Sequence, residues 1–179
     1  MQPIYRRILS VVILVAGLVW IFFSADKTGA STAGKIPAPQ QGFLAPAISL
    51  STPKGETYSL AELKGEAVLV NIWATWCPPC RAEMPAIEKV YEENKSKGFV
   101  VLSVNATAQD NPLDIAPFLT EYGITFPVVL DETGEVSTRY ELRSLPSSYF
   151  VDRDGMISAI VIGGMSEAQL ITNVQEILK

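Results

Sequence analysis

Two cysteines lie three positions apart in the stretch WCPPC, residues 76–80, and they are the only cysteines in this 179-residue chain. A pair such as Cys77 and Cys80 can form a structural disulfide, contribute half of a metal site or act as a redox centre. The chain contains no histidine, which excludes Ser-His-Asp and Cys-His catalysis. Because a structural zinc site needs about four cysteine or histidine ligands, we expect neither a metal nor another cofactor.

The position of the pair favours redox chemistry. The apolar, β-branched run AVLVNIW (67–73) predicts a buried strand, and a helix from Cys80 to about Lys97 follows it. Cys77 therefore lies at the turn before the helix, where the helix dipole lowers the pKa of a thiol from about 8.5. Cys80, one turn on, is predicted to be more enclosed. We expect Cys77 to attack a partner disulfide and Cys80 then to attack Cys77, which releases the reduced partner.

Two prolines, Pro78 and Pro79, separate the cysteines. Because proline has no N–H group, they remove two donors that could face the Cys77 sulfur. Fewer donors leave the thiolate less stabilised, which predicts a lower reduction potential and thus a better reductant. Proline also suits the first turn of a helix, so rigidity is a second, compatible explanation.

The beginning of the chain predicts a membrane anchor. Residues 8–25 are 18 residues without a charge, near the lower limit for a helix that crosses about 30 Å of hydrocarbon. Residues 1–7 contain Arg6 and Arg7, which favours a cytoplasmic N-terminus with the rest of the chain on the extracytoplasmic side. The alternative is a cleaved signal peptide, although its apolar region usually has about 7–15 residues.

A linker and one globular domain follow. Residues 26–41 are rich in Gly, Ala, Ser, Thr and Pro, which predicts a flexible linker, and the domain spans 42–179. Strands are predicted at 47–51, 57–60, 67–73, 99–105, 126–131, 147–152 and 156–163, and helices at 80–97, 113–123 and after Ser166. The tight turn DRDG predicts that the last two strands form an antiparallel hairpin. These elements predict an α/β domain in which helices cover both faces of a mixed sheet.

The charge of the domain argues against nucleic-acid binding. Residues 1–35 carry a net charge of +3, so residues 36–179 carry −8 of the chain's total of −5. An acidic domain without clusters of Lys and Arg binds the phosphates of nucleic acids poorly. We therefore expect no nucleic-acid partner.

The segment VLVNIWATWCPPCRAEMP (68–85) resembles the active-site segment of the thioredoxin superfamily. More narrowly, the chain is similar to the bacterial, membrane-anchored TlpA/ResA-like thiol-disulfide oxidoreductases. The resemblance extends over about residues 42–179 and includes FLAPAISLSTPKGETYSLAELKG, ITFPVVLD and SLPSSYFVDRDG. It implies a thioredoxin-like fold with an N-terminal β-hairpin extension.

The same resemblance implies a substrate groove beside the CxxC pair. It predicts a cis peptide bond before Pro146, in a loop that faces the cysteines. Leu145 and Ser147 should then contribute to the groove, together with Pro78 and Pro79 of the CxxC segment, and Trp76 should shield Cys77. Simple core or turn packing is the alternative for Trp76 and Ser147.

A carboxylate near the cysteines is expected to handle protons, since the chain has no histidine. Where cytoplasmic thioredoxins have a buried Asp, this chain has Asn71, as do ResA-like proteins. ResA-like proteins carry a Glu after the strand that corresponds to residues 99–105 here. In an alignment without a gap, the position of that Glu falls on Ala108. The segment is about two residues longer here, which lets Asp110 take this role. The alternative for Asp110 is a solvated loop acid or a helix cap.

The resemblance implies an extracytoplasmic thiol-disulfide oxidoreductase of the cell membrane, with one membrane-spanning helix, that acts as a reductant. Its implied substrates are protein thiols and disulfides, among them apocytochrome c during cytochrome c maturation. A membrane-embedded donor of the CcdA/DsbD type would re-reduce Cys77 and Cys80.

Three alternative functions remain on the same fold. The first is an oxidant that forms disulfides. The second is a thiol peroxidase of the peroxiredoxin type, whose Thr three positions before the reactive Cys is replaced here by Ala74, with Thr75 one residue too late. The third is a copper-delivery protein, which needs a histidine ligand and a longer cysteine spacing than this chain offers.

Overall fold

The computed structural model describes residues 36–179. The predicted cytoplasmic segment (1–7), the membrane anchor (8–25) and residues 26–35 of the linker lie outside this range. Among the helices of residues 36–179, none is long and apolar enough to cross a membrane.

A five-stranded mixed sheet forms the centre of the domain. The strands of the domain are β1 (Ser49–Ser51), β2 (Thr57–Ser59), β3 (Ala67–Trp73), β4 (Phe99–Asn105), β5 (Val128–Leu130), β6 (Ser147–Val151) and β7 (Ile157–Ile162). The central sheet has the order β5-β4-β3-β6-β7, with β3, β4 and β5 parallel and with β6 antiparallel to both β3 and β7. β1 and β2 form a separate antiparallel hairpin. The mixed sheet, the N-terminal hairpin and the final β6–β7 hairpin are confirmed.

Strand β3 is the buried middle of the sheet, and all seven of its residues are buried. A strand covered on both faces needs no polar alternation, which explains the nearly continuous apolar run AVLVNIW. Its one polar residue, Asn71, is 1% exposed. The carboxyl end of β3 leads directly into the CxxC segment.

Helices cover both faces of this sheet, as predicted. They are α1 (Pro78–Asn94), α2 (Pro112–Tyr122), α3 (Glu135–Arg139) and α4 (Glu167–Ile177). Short 3₁₀ turns lie at Leu60–Leu63, Lys95–Lys97 and Thr107–Gln109. On one face, Met84 of α1 and Leu170 of α4 pack in the same core as Leu69 of β3. On the other face, Val136 of α3 packs in the same core as Val70.

Helix α3 was missing from the elements predicted from the sequence. Its N-cap is Gly134, which has no side chain to cap the helix. The buried carboxylate of Asp131 accepts hydrogen bonds from the backbone N–H groups of Val136, at 3.2 Å, and Ser137, at 2.8 Å. A helix of five residues that begins this way shows neither an apolar period nor a capping box, so the sequence pattern gave no signal for it.

Candidate active site

Cys77 and Cys80 are joined by a disulfide, with their Cα atoms 5.3 Å apart. Cys77 is the N-cap residue of α1, and its sulfur accepts a hydrogen bond of 3.3 Å from the backbone N–H of Cys80. Cys77 is 2% exposed and lines a surface groove, whereas Cys80 is fully buried beneath it. Both cysteines are thus buried, but Cys77 borders the groove and Cys80 is the more enclosed of the two, as predicted.

The two prolines fill the first two positions of α1. An N-cap side chain accepts hydrogen bonds from the N–H groups at the second or third helical position. Here the second position is Pro79, which has no N–H, and the third is Cys80. Cys80 is thus the donor left for the Cys77 sulfur in the first turn, in agreement with the expectation from the sequence.

A groove of about 300 Å³ lies beside Cys77. Its walls are formed by the CxxC segment, by the loop before β6 and by Gln109. The peptide bond between Leu145 and Pro146 is cis, as the resemblance implied. Leu145 lines the groove, while Pro146 is buried behind it. Neither the amide nor the carbonyl of Leu145 has a hydrogen-bond partner among residues 36–179.

Trp76 and Ser147 occupy different places relative to this groove. Trp76 lines it and remains 56% exposed, while its indole N–H donates a hydrogen bond of 2.8 Å to the carbonyl of Gln109. Ser147 is fully buried, and its hydroxyl donates to the carbonyl of Ser144 at 2.7 Å. Ser147 therefore holds the loop from inside and does not line the groove.

Asp110 points into the loop that precedes Cys77. Its carboxylate accepts four hydrogen bonds, from the amide of Thr75 (2.7 Å), the hydroxyl of Thr75 (2.5 Å), the side chain of Asn105 (2.7 Å) and the amide of Asn111 (2.9 Å). A carboxylate has about four acceptor sites, so these donors occupy them. The geometry makes Asp110 an anchor for the residue two positions before Cys77, and its role in proton transfer stays a prediction.

Arg81 also contacts the loop that precedes Cys77. Its guanidinium donates to the carbonyl of Thr75 at 3.3 Å and forms an ion pair of 3.0 Å with Glu121 of α2. The guanidinium also lies 5.3 Å from the ring centre of Phe118, within the range of a cation–π contact. Thr75, two residues before Cys77, is therefore held by hydrogen bonds to both Asp110 and Arg81.

Glu83 is a buried carboxyl group that the sequence interpretation did not single out. It lies three residues after Cys80 on α1, and residues at this spacing share one face of a helix. Glu83 is only 3% exposed. Burial raises the pKa of Glu83 to about 7, although hydrogen bonds from the amide of Met165 and the side chain of Asn71 oppose the shift.

Asn71 connects this carboxyl group to the sheet. Its side-chain amide donates hydrogen bonds of 3.0 Å to Glu83 and to the hydroxyl of Ser148. The amide cannot itself exchange a proton near neutral pH, but it orients a group that can. The spacing CxxCxxE, with its charge inside an apolar stripe, was the signal in the sequence that could have revealed Glu83.

The arrangement suits thiol-disulfide exchange. It combines a sulfur that borders the groove at a helix start, a second sulfur that is fully buried and a buried carboxyl group whose pKa lies near neutrality. A general base works best when its pKa is close to the working pH. The groove with the unpaired backbone of Leu145 provides a place for a polypeptide next to Cys77.

Comparisons with known proteins agree with this chemistry. Residues 42–160 match the AhpC/TSA family. The thioredoxin-like protein YneN of Bacillus subtilis is 41% identical over 132 residues, which are 73% of this chain and 76% of that protein. The thiol-disulfide oxidoreductase ResA of Halalkalibacterium halodurans is 38% identical over 126 residues, 70% of each chain.

Solved structures show the same fold. A thiol:disulfide interchange protein of the thioredoxin family from Chlorobium tepidum matches with a TM-score of 0.70 and 30% identity, over 76% of this chain and 96% of that one. StoA from Bacillus subtilis matches with a TM-score of 0.63 and 29% identity, over 72% and 96%. The chain therefore belongs to the AhpC/TSA family and is a thioredoxin-fold thiol-disulfide oxidoreductase similar to ResA, with Cys77 and Cys80 as its CxxC pair.

Proposed function

We propose that this oxidoreductase works as an extracytoplasmic reductant of protein disulfides. The observation that carries the proposal is the hydrogen bonding of Cys77, whose sulfur receives one backbone donor, the amide of Cys80, while Pro78 and Pro79 supply none. A weakly stabilised thiolate makes the dithiol form less stable relative to the disulfide. The couple then has a low potential and gives up electrons readily.

The first step is attack by Cys77. In the reduced protein, the Cys77 thiolate attacks one sulfur of the substrate disulfide, forms a mixed disulfide and displaces the other substrate sulfur as a thiolate. Cys77 suits this step because it lines the groove, whereas Cys80 is buried below it.

The second step is resolution by Cys80. Glu83 takes the proton of the Cys80 thiol, and the resulting thiolate attacks the Cys77 sulfur. The Cys77–Cys80 disulfide forms and the second substrate sulfur leaves as a thiolate, so two electrons have passed to the substrate. The raised pKa of Glu83, about 7, and its place one turn after Cys80 support this assignment.

The groove and the sequence support the proposed substrate class and partners. The unpaired backbone of Leu145 suits a polypeptide that adds one or two backbone hydrogen bonds there. Apocytochrome c is the proposed protein substrate and a CcdA/DsbD-type membrane protein is the proposed electron donor, both through the resemblance to ResA-like proteins. Residues 8–25 are the proposed membrane anchor, which places the domain on the extracytoplasmic side.

The reduction potential of the Cys77–Cys80 couple tests the proposal. The full-length protein in detergent is equilibrated with glutathione buffers of known ratio, and its free thiols are counted after quenching. We expect a potential below about −200 mV, and a value above about −150 mV would place the couple among the oxidants and contradict the proposal.

The peroxidase alternative is not favoured by the site. The hydroxyl of Thr75 donates to Asp110 at 2.5 Å, and Ala74 is fully buried without a polar side chain. We expect the reduced protein to consume hydrogen peroxide no faster than an unactivated thiol does.

A further inference from the structure

The groove beside Cys77 continues into a second depression with a volume of about 580 Å³. We call it the polar trough and define it by Thr133, Ser137 and Glu141, together with three residues that it shares with the groove. The shared residues are Gln109, Leu142 and Arg143. The two depressions are therefore neighbours with a common wall.

The path of the chain explains this continuity. Helix α3 ends in a turn where Glu141 adopts the left-handed conformation, with φ of 50°. The amide of Glu141 donates to the carbonyl of Thr138 at 3.0 Å, and that of Leu142 donates to the carbonyl of Ser137 at 2.9 Å. This is the pattern of a Schellman motif. The turn sends the chain from the trough along the groove to Leu145.

A substrate beside Leu145 reaches the trough within a few residues. An extended chain advances at most about 3.6 Å per residue, so Leu142 lies within about 11 Å of Leu145. A peptide strand that bonds to the backbone of Leu145 and follows this wall enters the trough two to four residues from its cysteine.

Arg143 is the charged group at the junction. Of the residues that line the groove beside Cys77, Arg143 alone carries a charge. Its side chain is 85% exposed, and its contact with the Glu141 carboxylate is a loose 3.5 Å. It makes no hydrogen bond to a side chain or backbone group elsewhere in residues 36–179. A guanidinium with free N–H groups is well suited to a carboxylate, which it can bind through two parallel hydrogen bonds.

We propose that groove and trough form one site for an extended peptide, in which Arg143 binds a carboxylate two to four residues from the substrate's cysteine. This inference rests on the proposed function, since it assumes a polypeptide disulfide as substrate. It adds a direction in which the substrate extends and a preference for acidic residues near its cysteine.

Matched peptides test this preference. Each peptide carries one cysteine in a mixed disulfide with a small aromatic thiol and has either Asp or Asn at two to four residues from it. The full-length protein is reduced, and the second-order rate of thiol release is measured. We expect the Asp peptide to react about two- to fivefold faster than the Asn peptide, the range of an exposed ion pair.

Three variants make the test specific. Arg143→Gln should bring the ratio of the two rates to about one, and Arg143→Glu should bring it below one. Lys54→Gln removes the same charge from the exposed turn between β1 and β2, and it should keep the wild-type ratio.

The outcomes separate this inference from the proposed function. Equal rates for the two peptides in the wild type, or an unchanged ratio in Arg143→Gln, overturn the role of Arg143 while reduction itself stands. If the reduced wild type releases no thiol from either peptide, the reductase proposal fails and this inference fails with it.

Discussion

The side-chain amide of Asn71 donates a hydrogen bond of 3.0 Å to the carboxylate of Glu83. This contact joins the middle of β3 to α1, one turn after Cys80. The sequence predicted a proton-handling group on the loop at Asp110, because Asn71 on the strand cannot serve. The structure instead brings a carboxyl group to the buried face of the helix, and the strand residue orients it.

Replacing this carboxyl group should slow the second step of the reaction. Glu83→Gln lacks the carboxylate that accepts the Cys80 proton, and we expect resolution of a Cys77 mixed disulfide near pH 7 to slow by about 100-fold, the lower end of the range for a general base. Rapid mixing of the reduced protein with a chromogenic disulfide separates the two steps. Glu93→Gln, an exposed residue on the same helix, is the control, and equal resolution rates in both variants would contradict the role of Glu83.

The buried carboxyl group should also make stability depend on pH. The pKa of Glu83 is raised from 4.5 to about 7, so the folded state holds a proton between these values that the unfolded state has lost. The free energy of unfolding should therefore fall as pH rises from about 4.5 to about 7 and level off above it. At about 1.4 kcal/mol per pKa unit, the contribution is about 3 kcal/mol.

Urea unfolding of the wild type and of Glu83→Gln at pH 5 and pH 8 measures this contribution as the difference between their changes in the free energy of unfolding. The fall from pH 5 to pH 8 should be smaller in Glu83→Gln than in the wild type. The slope is the useful quantity, because the glutamine has one acceptor oxygen for the two donors of Met165 and Asn71, so the substitution lowers stability at every pH. Identical slopes in both proteins would show that Glu83 titrates normally.

Restoring a donor at Pro79 should make the couple more oxidising. Pro79→Ala supplies an N–H at the second helical position, which can reach the Cys77 sulfur. One hydrogen bond to a charged group is worth about 1.5 kcal/mol, or about 30 mV for a two-electron couple. Pro78→Ala adds an N–H at the first position instead and is the matched control. If both variants keep the wild-type potential in glutathione buffers, the prolines serve rigidity alone.

Removing the charge of Asp110 should weaken the loop that precedes Cys77. In Asp110→Asn, an NH₂ group replaces one acceptor oxygen and faces the donors of Thr75 or Asn105. We expect a loss of about 1–3 kcal/mol in the free energy of unfolding. An unchanged pH profile of thiol alkylation would limit Asp110 to this structural role. Asp114→Asn, at an exposed site of α2, is the control. A shifted profile would instead establish Asp110 as an acid–base residue.

The main architecture and the nucleophile could be predicted because their signals are local. The run AVLVNIW has the composition of a buried strand, and the spacing of Cys77 and Cys80 after it specifies a sulfur at a helix start. The cis bond before Pro146 was available only through the family resemblance, since most X–Pro bonds are trans.

The missed features depend on contacts between distant parts of the chain. Glu83 has the residue type of a surface charge, and its burial becomes evident only when the face of α1 that carries it packs against the sheet. The sequence singled out Asp110 as a proton-handling group, but not as an anchor of Thr75 and Asn105, which only the fold brings to it. Ser147 was expected in the groove, but it is the first residue of β6 and its hydroxyl turns inward to the carbonyl of Ser144.

At the left-handed turn of Glu141, the thermal stability of the protein and its selectivity for substrates favour different residues. Glycine is the residue best suited to that backbone, and another residue costs about 1–2 kcal/mol there. An engineer who wants a heat-tolerant variant would choose Glu141→Gly first. The same exchange would take away the carboxylate that contacts Arg143 at 3.5 Å, so the gain in melting temperature would come with a changed charge beside Arg143 and a changed selectivity.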